Sequence, residues 1–276
     1  MTTRRMFGCG LVIALLFGVS TDLSAQEYRQ STIDWLSTVV QTEPLAGSEK
    51  PPVVTGVSVQ PRGTLIAMVG DDHVVSLYDR MTGKFDHHLI EHTDWVRTAK
   101  FSPTGTYLAT AGNDRRLVVW DIVNTRRPRV IAEHPAAIVD VAWSADGTKI
   151  ATVGFERKVR LYDIASGNEI ASFDASCQDM RTVTFSPDDK TIAAGGRTGQ
   201  VDVWNIHNKT PVATIQLHSQ RIRDIAITEF NQLISCGDDR LIRITDLKDS
   251  TNVRSLPKHD GKLFSICLLR DGLLAT

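Results

Sequence analysis

Histidine, hydroxyl and carboxylate are the groups from which a hydrolytic triad is built, and this chain carries them again and again. His92, His134, His218 and His259 are separated by 42, 84 and 41 residues, and Ser176 occupies the place of the skipped histidine. Behind His92 come Thr110 and Asp114, behind His134 come Thr152 and Glu156, and behind His218 come Ser235 and Asp239. A catalytic site is normally unique within its domain, whereas this set returns at one phase several times over. Repetition therefore assigns the set to structure, and no catalytic residue is expected among these groups.

A second ruler runs in phase with the first. Tyr78-Asp79, Trp120-Asp121, Tyr162-Asp163 and Trp204-Asn205 lie 42 residues apart, and Thr245-Asp246 follows after 41. A fixed period in the low forties marks a repeat architecture. The unit that opens at His92 shows what is repeated. Val96–Phe101 has β-rich alternating character, Ser-Pro-Thr-Gly at 102–105 is a turn, and Tyr107–Ala111 is a second apolar run. Gly112-Asn113-Asp114 makes a tight turn, and Leu117–Trp120 is a third strand. A weaker fourth strand follows each aromatic-acid pair, at Arg129–Ala132, Glu169–Phe173 and Pro211–Leu217. Four short antiparallel strands make one small sheet, which buries its faces only by stacking on its neighbours.

On these residues the chain resembles the WD40-repeat β-propeller family over roughly residues 51–276, in the manner of an exported, bacterial-type member. The resemblance implies an all-β, WD40-type β-propeller with about five and a half four-stranded blades and an incomplete ring. The blades would fall at about 51–91, 92–133, 134–175, 176–217 and 218–258, with a partial one at 259–276. It also implies a buried, hydrogen-bonded tetrad in a blade, complete in His92, Thr110, Asp114 and Trp120. His134, Thr152, Glu156 and Tyr162 approximate it. His218, Ser235 and Asp239 keep three members, with Thr245 in place of the Trp. The unit around Ser176 keeps only Trp204, because Ala194 and Thr198 stand at the other positions.

The first 25 residues are of another kind. Arg4-Arg5 form a positive n-region, Phe7–Val19 is an apolar run of about 13 residues, and Leu23-Ser24-Ala25 closes it with small residues. The run is short for a membrane span and fits a signal peptide cleaved near Ala25, with a retained signal anchor as the competing reading. Thr3-Arg4-Arg5-Met6-Phe7 also resembles the twin-arginine export motif, so the two export routes stay open. Residues 26–50 form a short segment and linker. Ser31 and Thr32 could cap a helix carrying Ile33, Leu36 and Val40, and Pro44, Gly47, Ser48, Pro51 and Pro52 follow.

Composition restricts the partners. Lys and Arg number 31 against 32 Asp and Glu, a net charge of −1. Loss of residues 1–25, with Arg4, Arg5 and Asp22, makes it −2. Such a balance has no basic excess to suggest nucleic acid or an anionic membrane as a partner, and no stable membrane span is expected once the signal is removed. Cys177, Cys236 and Cys267 show no zinc spacing, and no Cys-x-x-Cys-His or phosphate loop is present. No metal and no cofactor is expected. His87-His88 read as a solvated turn before a strand, and Cys236 as a buried small hydrophobe.

With the repeat residues committed to folding, function must lie on the exposed rim. In the family it resembles, the loops after each repeat histidine open on the face used for binding. Here those loops carry Trp95, Arg97, Arg181, Arg221, Arg223 and Lys262. Tryptophan among arginines is the composition of an interaction hot spot. The expectation is a non-enzymatic scaffold outside the cytoplasm, binding a protein or peptide of acidic or otherwise anionic character. The alternative is the propeller frame of a larger exported enzyme or electron carrier. The ruler also places the end of the sequence inside a sixth unit: Leu263–Leu269 as its first strand, a turn at Arg270-Asp271-Gly272, and Leu273–Thr276 opening the second.

Overall fold

The computed structural model describes residues 51–268 and the short strand at 274–275. The signal peptide, the segment through residue 50 and the turn at 270–272 lie outside the described residues.

Each repeat becomes one antiparallel four-stranded sheet whose strands follow chain order. Blade 1 contains β1 (Val54–Val59), β2 (Leu65–Gly70), β3 (Val74–Asp79) and β4 (Phe85–Ile90). Blade 2 contains β5 (Val96–Phe101), β6 (Tyr107–Gly112), β7 (Arg116–Asp121) and β8 (Pro128–Glu133). Blade 3 contains β9 (Ile138–Trp143), β10 (Lys149–Gly154), β11 (Lys158–Asp163) and β12 (Glu169–Asp174). Blade 4 contains β13 (Met180–Phe185), β14 (Thr191–Gly196), β15 (Gln200–Asn205) and β16 (Thr210–Gln216). Blade 5 contains β17 (Ile222–Ile227), β18 (Gln232–Gly237), β19 (Ile242–Asp246) and β20 (Val253–Ser255). A last pair, β21 (Cys267–Leu268) with β22 (Leu274–Ala275), follows them. No helix occurs among the described residues, and the ring of blades is not closed there.

The core lies between blades. Leu77 and Leu89 of blade 1 pack with Leu108, Val118 and Trp120 of blade 2. Ala109 and Leu117 of blade 2 meet Ile138 and Ile150 of blade 3, and the pattern continues around the ring. The second and third strands of a blade, apolar on both faces, are sandwiched by neighbours, which is why β2, β6, β10 and β14 read as nearly unbroken buried runs. The fourth strands face solvent over most of their length, in keeping with the weaker sequence signal there.

Two glycines set local geometry. A Cβ on Gly112 would stand 2.0 Å from the Trp95 carbonyl oxygen, so only glycine lets the end of β6 approach the loop carrying Trp95. Gly199, at φ +78°, would put a Cβ 2.0 Å from the His218 carbonyl oxygen.

Two sequence expectations are corrected. Leu263–Ile266 is not a strand: the Leu263 amide bonds to the Gly237 carbonyl at 3.4 Å and the Ile266 amide to the Asp224 carboxylate at 2.9 Å. Blade 5 takes those donors before a ladder can, and strand begins only at Cys267. His87 and His88 lie within β4 rather than in a turn. His88 Nδ1 is 3.0 Å from the Ser76 hydroxyl, and His87 contacts Asp86 at 2.8 Å.

Candidate interaction face at the channel mouth

The repeated His–hydroxyl–acid sets are closed networks. His92 Nδ1 lies 2.7 Å from Asp114 Oδ2, and its Nε2 lies 2.8 Å from the Thr110 hydroxyl. The Trp120 indole N–H donates to that same hydroxyl at 2.9 Å. The Thr110 oxygen therefore accepts from the indole and donates to Nε2, leaving Nδ1–H for the carboxylate. Burial opposes ionisation of Asp114, yet its bond to His92 holds the carboxyl below the usual range. In blade 3, His134 Nδ1 bonds to Glu156 at 2.8 Å and the Tyr162 hydroxyl meets Nε2 at 2.9 Å, while Thr152 stands back at 3.4 Å. Burial drives His134 and His218 below the usual histidine range, against the pull of Glu156 and Asp239. His218 joins Asp239 and Ser235, each at 2.8 Å. All three histidine side chains are buried within these networks, at most 4% exposed, so their ring nitrogens are not presented to a substrate.

Blade 4 solves the missing set differently. Asp202, on β15 and nearly inaccessible, accepts from the Ser176 amide at 2.7 Å and the Thr214 hydroxyl at 2.8 Å. It takes over the backbone-anchoring bond that Asp114 makes to the Thr93 amide and Asp239 to the Ser219 amide. No other blade holds a carboxylate at that strand position, so the repeat pattern carried no signal for it.

The first strands of all five sheets, β1, β5, β9, β13 and β17, surround one cavity of about 590 Å³ on the ring axis. Within it, Asp140 accepts from the Thr98 hydroxyl of blade 2 at 3.2 Å and the Val183 amide of blade 4 at 3.1 Å. Asp224 accepts from the Thr182 hydroxyl at 3.2 Å, and from the Ser265 hydroxyl and Ile266 amide at 2.9 Å each. Burial pushes Asp140 up to about 6, opposed by Lys100 and reinforced by Asp224. Asp140, first, and then Asp224 raise Lys100 against the cost of its burial. Lys100 is enclosed by the ring yet reached by channel water, and its ammonium is the charge opposite the two carboxylates.

The six rim residues separate into two groups. Arg97, Arg181 and Arg223 stand at equivalent positions of β5, β13 and β17 and line the cavity. Trp95, 43% exposed, together with Arg221 and Lys262, lies outside its lining. Arg181 and Arg221 share Asp179, at 2.6 and 3.0 Å, and Arg223 and Lys262 share Asp238, at 2.7 and 3.8 Å. Arg97 bonds through Nε to the Asn113 side-chain oxygen and has no carboxylate in ion-pair reach among the described residues. Phe155 was not visible as part of the site, because its turn position holds Asn113, Arg197 and Asp238 in other blades. Its ring lies 5.6 Å from the Arg97 guanidinium and 5.0 Å from that of Arg181. Phe264 sits 5.3 Å from Arg223 in the same way.

Cys236 is fully buried, and burial pushes its thiol up to about 12, which makes it an inert packing residue. Among the described residues no group of three His, Cys, Asp or Glu side chains could hold a metal ion, and no helix is long and apolar enough to cross a membrane.

Comparison with known families finds a match to the family described as NWD2 C-terminal beta-propeller over residues 54–272. No curated protein matches the chain.

Proposed function

Because the chain belongs to the NWD2 C-terminal beta-propeller family, we propose that it is a non-enzymatic scaffold that binds a protein or peptide at the mouth of its central cavity. One observation carries this reading: three blades place Arg97, Arg181 and Arg223 around one opening, with Phe155 and Phe264 beside them. Guanidinium and aromatic groups on a rigid frame favour a partner with anionic groups and apolar surface. The burial of the histidine networks and their return from blade to blade support a binding role over a catalytic one. Replacing Trp95, Arg97, Arg181 and Arg223 together should abolish partner capture by affinity purification while leaving the circular dichroism spectrum unchanged. Capture of the same partner by wild type and variant would place the binding surface elsewhere.

The scaffold acts outside the cytoplasm in this proposal, on the strength of Arg4-Arg5, the apolar run and the small residues before Gln26. N-terminal sequencing of the native protein should then begin near Gln26. An intact Met1 on soluble cytoplasmic protein would refute export.

A further inference from the structure

Around the channel mouth cations outnumber carboxylates, with Arg181 and Arg221 on Asp179 and Arg223 and Lys262 on Asp238. Burial, and then the like charge of Arg181, pull Arg97 below the ordinary arginine range. Two cations thus share one aromatic ring, Phe155, and of the two only Arg181 is ion-paired. Arg97 commits Nε to Asn113, and Arg181 turns Nε to Asp179. The terminal nitrogens of both guanidiniums meet no protein acceptor among the described residues. Like charges held together in a partly desolvated site cost free energy that a bound anion would remove.

The surroundings also restrict which anion fits. Arg181 and Arg223 each face a rim carboxylate, Asp179 and Asp238, whereas Arg97 has none in ion-pair reach among the described residues. In the same cavity Asp140 and Asp224 outnumber the single ammonium of Lys100, which disfavours a second negative charge there. One planar monoanion matches: a carboxylate, whose two oxygens suit a guanidinium fork. Phe155, 38% exposed, and Phe264, 67% exposed, offer apolar surface beside it. We propose that Arg97 and Arg181, held against Phe155, clamp one carboxylate side chain of an acidic peptide, with Phe264 receiving an adjoining apolar residue. This rests on the reading of the mouth as an interaction face.

The test uses the full chain and three dye-labelled, capped peptides, Gly-Leu-Glu-Leu-Gly and its Gln and phosphoserine counterparts, followed by fluorescence anisotropy at low salt. The Glu peptide should bind about 10-fold or more tighter than the Gln peptide, the worth of one charge-assisted hydrogen-bond pair. Arg97→Gln should erase that preference, and Arg97→Lys, which keeps charge but loses the fork, should retain part of it. Indistinguishable Glu and Gln peptides, including no measurable binding of either, would overturn the clamp. Tightest binding by the phosphoserine peptide would overturn the single-charge argument. Should the clamp fail while the four-residue variant still loses its partner, the interaction reading survives alone. Should that variant keep its partner, the interaction reading falls first.

Discussion

Thr110→Val exchanges a hydroxyl for a methyl of nearly equal size, so its cost is almost purely that of hydrogen bonding. The Thr110 oxygen is the shared partner of His92 Nε2 at 2.8 Å and Trp120 Nε1 at 2.9 Å, and it is fully buried. Removing it strands both groups where water does not reach. At about 1–3 kcal/mol for each unsatisfied buried group, the loss should be about 2–6 kcal/mol. Blade 3 supplies the control. Thr152 stands 3.4 Å from His134 Nε2, and the Tyr162 hydroxyl already satisfies that nitrogen at 2.9 Å. Thr152→Val therefore strands nothing and should cost about 1 kcal/mol or less. Urea unfolding of both variants beside wild type, followed by far-ultraviolet circular dichroism, reads the two losses as midpoint shifts at constant slope. Equal losses would refute the reasoning, because they would mean that burial of the threonine, and not its bonding, sets the cost.

Asp202→Ala should destabilise by about 2–4 kcal/mol, since the Ser176 amide and Thr214 hydroxyl lose their acceptor. An unfolding midpoint that stays in place would show that blade 4 is not anchored there. Asp140 has a folded value of about 6 against an ordinary 3.8. Its stabilising contribution is complete below the lower value and is lost as pH rises through the upper, by at most about 3 kcal/mol. Asp140→Asn removes that dependence, so the stability of the variant relative to wild type should climb between pH 4 and 6. A difference that stays flat across that window would refute the buried placement of the carboxyl.

The period exposed the fold because every blade solves the same packing problem with the same residue types. His92, Thr110, Asp114 and Trp120 could be read together because their spacing recurs. What stayed hidden was whatever one blade does alone. Asp202 occupies a strand position held by Val118 in blade 2 and Arg160 in blade 3, so nothing marked it as the replacement for a missing acid. Phe155 sits in a turn whose residue type changes from blade to blade. Arg221 and Lys262 stood with the other rim cations in the sequence, yet the fold brings them to Asp179 and Asp238, which Arg181 and Arg223 share. The strand expected at Leu263–Ile266 failed because its donors are bound by blade 5, a contact that no local pattern encodes.

Asp140 has one further consequence. In an array of repeats each unit ordinarily touches only its neighbours, and disturbance fades from one to the next. A single carboxylate on blade 3 that accepts from blade 2 with one oxygen and from blade 4 with the other makes three units answer together. Asp224 repeats the arrangement between Thr182 and Ile266. Tilting blade 3 alone must stretch one of its two bonds, so this stretch of the cavity wall resists distortion as a braced arc does rather than as a row of links. Arg97 is the residue next to Thr98. Whatever settles at the mouth therefore pulls directly on a strand that is already tied to blade 3.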